Sequence, residues 1–357
     1  MKIPATMSGV QLTRHGGPET LVWRQDIAVP RPGPGQVLVR VLAAGVNNTD
    51  INTRIGWYAP EVTGATDAVD QPIEAGGWGG ALQFPRIQGG DLCGRVVALG
   101  ADAGRFAVGM RVTCPINLSR PTADNPRGYI ALGSEVDGAF AEYCLVEARD
   151  LYDVSAAPLS DIEIAAVPCA FGTAENLLTR AGVSEGQQVL ITGASGGVGL
   201  AAVQLAQLRG AQVTGIAAAT KAAAVRGAGA FEVMDRGDTP PEGRYDAVID
   251  VVGGEGFSAL IRALKPGGHY AVSGAIAGPV VSADLRDIYL QDRTIHGCTY
   301  QPPAVFERLV ALMNSGQIRP LISQTYAMSD IVRAQEDFMS KRHPGKLVLV
   351  PPEEEKK

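Results

Sequence analysis

The sequence predicts an α/β protein with a β-rich first part and a doubly wound parallel sheet after it. Three observations carry this. Short apolar strands alternate with helical stretches from about Ser155 to Gly297, and such alternation implies a parallel sheet. One of those strands, Val189–Thr192, breaks into a turn of small residues, Gly193-Ala-Ser-Gly196-Gly-Val-Gly199, and a helix starts at once. Before Ser155 the pattern is instead strands separated by long loops.

In the first part, Gln36–Val41 alternates and follows the Pro/Gly-rich stretch Pro30–Gly35. Further strands are expected at Gly94–Leu99, Arg111–Cys114 and Ala139–Val146. Two long loops stand out, Ala59–Arg86 and Pro115–Gly138; loops of that length in a compact domain are usually functional or mobile. The second part then reads as helix Ile162–Arg180, strand Val189–Thr192, helix Gly197–Arg209, strand Gln212–Ile216, helix Lys221–Arg226 and strand Phe231–Met234. It continues with strand Asp246–Val251, helix Glu255–Leu264, and strands His269–Ser273 and Thr294–Gly297. Helix Pro303–Gly316 leaves this domain, strand Gly345–Val350 returns to the first, and Pro351–Lys357 is a loose tail.

Composition narrows the class. The chain has 357 residues, 46% hydrophobic and 19% charged, enough for two domains with good cores. A net charge of −6 argues against a nucleic-acid partner. No signal-like segment follows Met1 and no apolar run is long enough for a bilayer, so no membrane partner is expected. The five cysteines are scattered, odd in number and never in C-x-x-C spacing, which fits free thiols in a reducing cytoplasm. The four histidines lie apart and give no metal cluster.

The glycine turn carries the first chemistry. A strand-to-helix turn of small residues aims backbone N–H groups and the positive helix end at one point, where a pyrophosphate can sit. Gly196 lets the backbone approach the phosphates, and Gly199 lets the helix pack close to the strand. The strand before and the helix after are the confirming context for a dinucleotide site. This assigns Ser195, Gly196, Gly197 and Val198 to cofactor binding. A domain that binds NAD usually places an acidic residue about 20 positions further on. Here no acid occurs between Glu185 and Glu232, whereas Lys221 lies after the second strand and Arg236 after the third. A missing carboxylate and a present cation favour a 2′-phosphate, so NADPH is expected, with Lys221 first and Arg236 second as its partners. Lys221 as a merely solvated first-turn residue is the competing reading.

Several segments together resemble the medium-chain dehydrogenase/reductase superfamily, in particular its zinc-free quinone oxidoreductase branch. They are Gly16–Leu21, Pro30–Val39, Ala44-Gly-Val-Asn-Asn-Thr-Asp50, Arg54-Ile-Gly-Trp-Tyr58, Gly89-Gly-Asp-Leu-Cys-Gly-Arg-Val-Val97, Gly109–Val112, Gly138–Tyr143, the glycine turn and Gly345–Val350, in the family's order. The resemblance implies a GroES-like β domain (residues 1–155), a Rossmann NADP(H)-binding domain (156–302) and a C-terminal return (303–357). It also implies a substrate cleft between domains and a homodimer.

Departures from that family bear on the chemistry. Zinc alcohol dehydrogenases carry a Cys ligand and a His where this chain has Asn47 and Asn48, and a His ligand where it has Gly90. Cys169 matches the third ligand position, but one thiolate cannot hold a catalytic zinc. The loop matching the structural-zinc lobe, Pro115–Gly138, has no cysteine. No metal is expected.

Without zinc, reduction of an activated acceptor is favoured over alcohol oxidation. The expected function is NADPH-dependent hydride transfer to a small electrophilic substrate, a quinone or α,β-unsaturated carbonyl. The resemblance places Tyr58, Asn47 and Asn48 at the catalytic site. The spacing from Asp50 to Tyr58 resembles 2-enoyl thioester reductases, so an enoyl-CoA reductase is the alternative. A non-catalytic NADPH sensor or scaffold is a third. Tyr58 as a packing aromatic and Asn48 as a turn cap compete with the catalytic readings, and Asp50 reads as a loop fixer. Thr173 matches a family threonine at the nicotinamide. Val252 ends the fourth strand and Ser273 and Gly274 the fifth, where Rossmann ligands bind. Trp78 and the glycines Gly76–Gly80 suggest a loop that lids the cleft or widens it for a large acceptor, and Arg120 and Arg127 are either solvated or a site for a coenzyme A phosphate.

Overall fold

A computed structural model describes residues 3–68, 78 and 82–352. The chain packs into two units, one comprising Met1–Ala59, Asp70–Cys169 and Pro302–Lys357, the other Pro60–Val69 and Ala170–Gln301. The sequence reading put the boundary at 155/156; residues 156–169 pack with the first unit.

The first unit is built from β1 (Thr6–Leu12), β2 (Leu21–Ala28), β3 (Gln36–Val46), α1 (Asn48–Ile55), β4 (Arg86–Ile87), β5 (Cys93–Leu99), β6 (Arg111–Thr113), β7 (Asn117–Ser119), β8 (Tyr129–Ala131), β9 (Tyr143–Glu147), β10 (Tyr152–Asp153) and α2 (Asp161–Ala165). Strand β3 is its spine. It pairs antiparallel with β5 on one edge and with β9 and the C-terminal strand on the other. Val37, Leu38, Val39, Val41, Ala43, Ala44 and Val46 are all buried, so β3 is covered on both faces rather than alternating. The second expected loop, Pro115–Gly138, contains the β7–β8 hairpin, whose three-residue strands are too short to register as a sequence pattern. The strand expected from Ala139 begins at Tyr143. Before it, Ala139 and Phe140 donate their backbone N–H groups to Gly89 and Gln88.

Helix Ile162–Arg180 is not continuous. It divides into α2 and α3 (Pro168–Arg180), because Pro168 lacks an N–H and disfavours helical geometry at the residue before it.

The second unit continues with β11 (Gln188–Ile191), α4 (Gly197–Leu208), β12 (Gln212–Ile216), α5 (Ala222–Gly227), β13 (Glu232–Met234), β14 (Tyr245–Asp250), α6 (Phe257–Ala263), β15 (Leu264–Val272), α7 (Arg286–Tyr289) and β16 (Thr294–Gly297). The sheet order is β13-β12-β11-β14-β15-β16, with every pairing parallel. This is a Rossmann sheet, and the strand order reverses between β11 and β14. Ligands of such sheets bind beyond the C-terminal strand ends at that point. Val189, Leu190, Ile191, Val248 and Ile249 are wholly buried at its centre.

The chain then returns to the first unit through α8 (Pro303–Asn314), β17 (Ile322–Ala327), α9 (Ile331–Met339) and β18 (Lys346–Val350). Strand β18 pairs parallel with β17 and antiparallel with β3. The five cysteines are buried and unbridged. Among the described residues, no helix is long and apolar enough to cross a membrane. Most of the Gly76–Gly80 run lies outside the described residues, as do 353–357 of the expected tail.

Candidate functional site

In the second unit, the glycine turn separates two roles. A Cβ at Gly199 would lie 2.2 Å from the Gly193 carbonyl oxygen and 2.6 Å from Ala194 Cα. Both are backbone atoms, so only glycine lets α4 approach β11. A Cβ at Gly196 would meet nothing closer than 3.4 Å. Gly196 is the N-cap of α4, in extended conformation (φ −80°, ψ 176°), and it is exposed. Its missing side chain therefore serves no packing need. It leaves open space against the N–H groups of the first turn of α4, where an anion can be held.

Because all six strands run parallel, their C-terminal ends share one edge. The turn Ser195–Val198 follows β11, Lys221 follows β12, Arg236 follows β13, Val252 follows β14, and Ser273 and Gly274 follow β15. Thr173 lies in α3 and is buried. The short helical turn Thr66–Ala68 rests on the loop after β15, Thr66 N–H donating to the Ile276 carbonyl at 3.1 Å.

One residue that the sequence reading missed organises this edge. Asp250, the last residue of β14, is fully buried. Its carboxylate accepts the Thr192 hydroxyl at 2.5 Å and the Val252 N–H at 2.8 Å. It also accepts the Gly253 N–H at 3.2 Å and the Tyr270 hydroxyl. Thr192 in turn accepts the Val251 N–H at 3.1 Å. The ends of β11, β14 and β15 are thus tied together at the reversal point. An acid inside the apolar run Ala247–Val252 was the available signal, since a buried charge must be paired.

At the end of β12, burial and the nearby Arg236 guanidinium both lower the Lys221 pKa. Two cations that feel one another make a field suited to an anion. Asp235 lies in this neighbourhood, just past the span counted as free of acids. Its oxygens accept the backbone N–H groups of Ala219 and Gly237, each at 3.2 Å.

In the first unit, Asn47 follows β3 and caps α1. Its backbone N–H donates to the Asp50 carboxylate at 2.7 Å, and its side-chain amide donates to Asp91 at 2.9 Å. Lys346, from β18, places its ammonium 2.5 Å from Asn47 Oδ1 and 2.8 Å from Asp91 Oδ2. The other Asp91 oxygen accepts the Cys169 backbone N–H at 2.6 Å. Burial pushes the Asp50 carboxyl up to about 7; the Asn47 N–H and Lys346 work against that rise and the Asp91 charge adds to it. Asp50 therefore fixes the start of α1 from a buried position.

These residues do not make a zinc site. Asn47, Asn48 and Gly90 offer no thiolate or imidazole, and a Cβ at Gly90 would lie 2.1 Å from Ile116 Cδ1. A lysine ammonium already sits against the oxygens of Asn47 and Asp91. Among the described residues, no group of three or more His, Cys, Asp or Glu is placed to hold a metal.

Asn48 and Tyr58 belong to a second polar group of the first unit. The Asn48 amide donates to Asn52 Oδ1 at 3.1 Å, one helical turn on, while Asn48 Oδ1 is buried with no hydrogen-bond partner. Half-buried Tyr58 lies with its hydroxyl 3.0 Å from Thr49 Oγ1. Burial, against opposing hydrogen bonds from Thr49, Asn52 and Trp78, pushes its pKa up to about 12. At neutral pH it is a hydrogen-bond donor and not a base. The arginine expected to meet a coenzyme A phosphate is engaged elsewhere, since Arg120 holds Asp150 through two bonds of 3.0 and 2.6 Å. Arg127 is exposed.

Comparison with known proteins adds the family. Residues 33–156 match the alcohol dehydrogenase GroES-like domain, and residues 219–349 match the zinc-binding dehydrogenase domain. A crystal structure from Sinorhizobium meliloti 1021, provisionally named an alcohol dehydrogenase, is 41% identical with a TM-score of 0.87, covering 98% of each chain. Quinone oxidoreductase of Homo sapiens is 28% identical over 96% of this chain and 98% of its own. Acryloyl-coenzyme A reductase of Metallosphaera sedula is 27% identical over 91% of this chain and 95% of its own.

Proposed function

The chain belongs to the medium-chain dehydrogenase/reductase superfamily and is a nicotinamide-dinucleotide oxidoreductase of that type, and from this premise we propose that it reduces quinones or α,β-unsaturated carbonyls with NADPH and without zinc. The observation that carries the reading is Asn47 and Gly90 at two of the three zinc-ligand positions, with the Lys346 ammonium held by Asn47 and Asp91. With no Lewis acid to stabilise an alkoxide, an acceptor that spreads charge onto its own oxygen is the better substrate.

A bound nicotinamide would supply the hydride. On an enone acceptor it would add to the β-carbon, with the electron pair passing to the carbonyl oxygen and a solvent proton completing the α-carbon. Tyr58, protonated at neutral pH, donates a hydrogen bond to that oxygen as charge builds. A donor so placed is worth about 3 kcal/mol of transition-state stabilisation. Gly196 and the first turn of α4 would hold the pyrophosphate, and Lys221 with Arg236 would hold the 2′-phosphate. Asn48 Oδ1, buried and unpartnered, offers an acceptor for a donor on the bound ligand.

A steady-state panel tests this: NADPH or NADH against small quinones, enones and crotonyl-coenzyme A, and NADP+ against alcohols. Faster NADPH oxidation with quinones or enones, unaffected by chelators, is expected; zinc-dependent alcohol oxidation overturns the reading. The likeness to acryloyl-coenzyme A reductase at 27% identity favours one second reading, an enoyl thioester reductase. Turnover of crotonyl-coenzyme A without turnover of quinones selects it.

The same reading includes a homodimer. Strand β16 pairs with β15 and is the last strand of its sheet. Ile295 on β16 and the nearby Leu285, Tyr289 and Leu290 are exposed apolar side chains. A second copy laid along that edge would bury them. Ile295→Lys is expected to halve the mass seen by light scattering; a monomeric wild type overturns this part.

A further inference from the structure

Among the described residues, the partners of the buried Asp250 carboxylate are all neutral. They are the Thr192 and Tyr270 hydroxyls and the Val252 and Gly253 backbone N–H groups. An ionised carboxylate has about four lone-pair sites, one for each donor. A neutral carboxyl would have to donate a proton itself, and the Tyr270 proton would lose its acceptor. Burial, and then the Asp250 charge, push the Tyr270 phenol well above its usual range. The second unit therefore holds a buried negative charge that hydrogen bonds stabilise and no cation offsets.

Its place in the sheet gives that charge a use. The strand order β13-β12-β11-β14-β15-β16 puts Lys221, after β12, on one side of the β11 turn and the ends of β14 and β15 on the other. A dinucleotide with its pyrophosphate at the N-terminus of α4 and its adenosine toward β12 would carry its nicotinamide toward β14 and β15. Asp250 holds the turns there. Val252 and Gly253 donate to its carboxylate. Ala277 N–H then donates to the Val252 carbonyl at 2.9 Å, and Gly254 N–H to the Gly278 carbonyl at 3.1 Å. We propose that the buried Asp250 charge favours the oxidised, cationic nicotinamide over the reduced, neutral one, and so eases departure of the hydride. The proposal rests on the nicotinamide-dinucleotide reading above.

Hydride donation, a proton with two electrons, would leave a cationic ring where a neutral one stood, while the acceptor takes both electrons. A fixed negative charge lowers the energy of that cation. At an effective dielectric of about 20, unit charges roughly 12 Å apart still shift an equilibrium about tenfold. The phosphates carry the same charge in both forms of the cofactor. Their repulsion by Asp250 therefore cancels in the ratio of the two affinities.

The test is binding at equilibrium. Asp250→Asn removes the charge at nearly equal volume, and Tyr270→Phe keeps the charge but removes one donor. Titration calorimetry gives the dissociation constants of NADP+ and NADPH for wild type and both variants. Asp250→Asn is expected to weaken NADP+ relative to NADPH about tenfold. Tyr270→Phe is expected to leave the ratio within about twofold of wild type, because loosening the turns weakens both forms alike. An unchanged ratio in Asp250→Asn, or one moved toward NADP+, overturns the proposal. The carboxyl carbon resonance of Asp250 in the wild-type complex with NADPH reads the charge without any substitution, and so serves even where Asp250→Asn does not fold. An ionised carboxylate at neutral pH is expected, and a protonated one overturns the proposal. A wild type that binds neither dinucleotide overturns instead the functional reading beneath it.

Discussion

Lys346 and Asp91 form an ion pair of 2.8 Å with their side chains only 4% and 0% exposed. It joins β18, near the end of the chain, to the segment beside Gly90. Two charges taken out of water need each other and further hydrogen bonds. Asp91 receives these from Asn47 and Cys169, Lys346 from Asn47 and the Val46 carbonyl. Removing one partner leaves the other buried and uncompensated. Lys346→Met is expected to cost about 3–5 kcal/mol of stability, read from urea unfolding. Adding Asp91→Asn to it should recover part of that loss. A single variant as stable as wild type would falsify the account.

Asp50 makes stability depend on pH in a stated direction. Its folded pKa is pushed up to about 7, chiefly by burial, while in an unfolded chain it titrates near ~3.9. Between those values the folded protein keeps a proton that the unfolded chain has lost. The Asp50 contribution to stability is therefore fully present below about pH 4 and falls as pH rises toward about 7. One proton gives a slope of at most about 1.4 kcal/mol per pH unit. Asp50→Asn still accepts the Asn47 N–H and removes the slope. Unfolding free energies of the two proteins, measured from pH 4 to 8, should converge toward acid and diverge toward neutral. Parallel curves would contradict the assignment.

The legible parts of the fold are those with local causes. Strand β16 was readable to the residue, and β12 likewise, because each is a short stretch at the regular place for a strand in the alternating pattern. The glycine turn was readable because a strand, a tight turn and a helix need small residues in that order. The break at Pro168 was signalled by the proline itself but overridden by helical periodicity on both sides. What could not be read is long-range pairing. Asn47 and Lys346 meet across 299 positions, and Thr49 meets Trp78 across 29. No spacing rule connects such residues until β3, β18 and α1 are packed. Asp250 lies between these cases: its burial was readable, its four donors were not.

Two glycines of one turn should respond differently to alanine. Gly199→Ala drives a Cβ to 2.2 Å from the Gly193 carbonyl oxygen, so α4 must move from β11 and the protein should lose several kcal/mol, in the range of severe overpacking. Gly196→Ala has room and an ordinary extended backbone, so its unfolding midpoint should stay near wild type. Its methyl group enters the space proposed for pyrophosphate, and dinucleotide affinity should fall about tenfold or more, equivalent to about 1.4 kcal/mol. Thermal unfolding and titration calorimetry separate the two effects. Equal stability losses with unchanged affinity would show that the space at Gly196 is not a phosphate cradle.

The proposed preference for NADPH rests on Lys221. Its pKa is lowered by burial and by Arg236, so an added anion between these cations relieves their repulsion and gains a charge-assisted bond. Such a bond is worth about 1.5–3 kcal/mol, or roughly ten- to hundredfold in affinity. Lys221→Glu replaces attraction by repulsion toward a 2′-phosphate and supplies a carboxylate for ribose hydroxyls. The ratio of NADPH to NADH affinity should drop by at least about tenfold, with the fold unaffected because the side chain is at the end of a short helical turn, Ala219–Lys221. Arg236→Ala should lower NADPH affinity by less, since Arg236 is the more exposed of the two. Competitive titration of both dinucleotides against each variant measures the ratio. An unchanged ratio in Lys221→Glu would move the 2′-phosphate site away from the end of β12 and remove the basis for preferring NADPH.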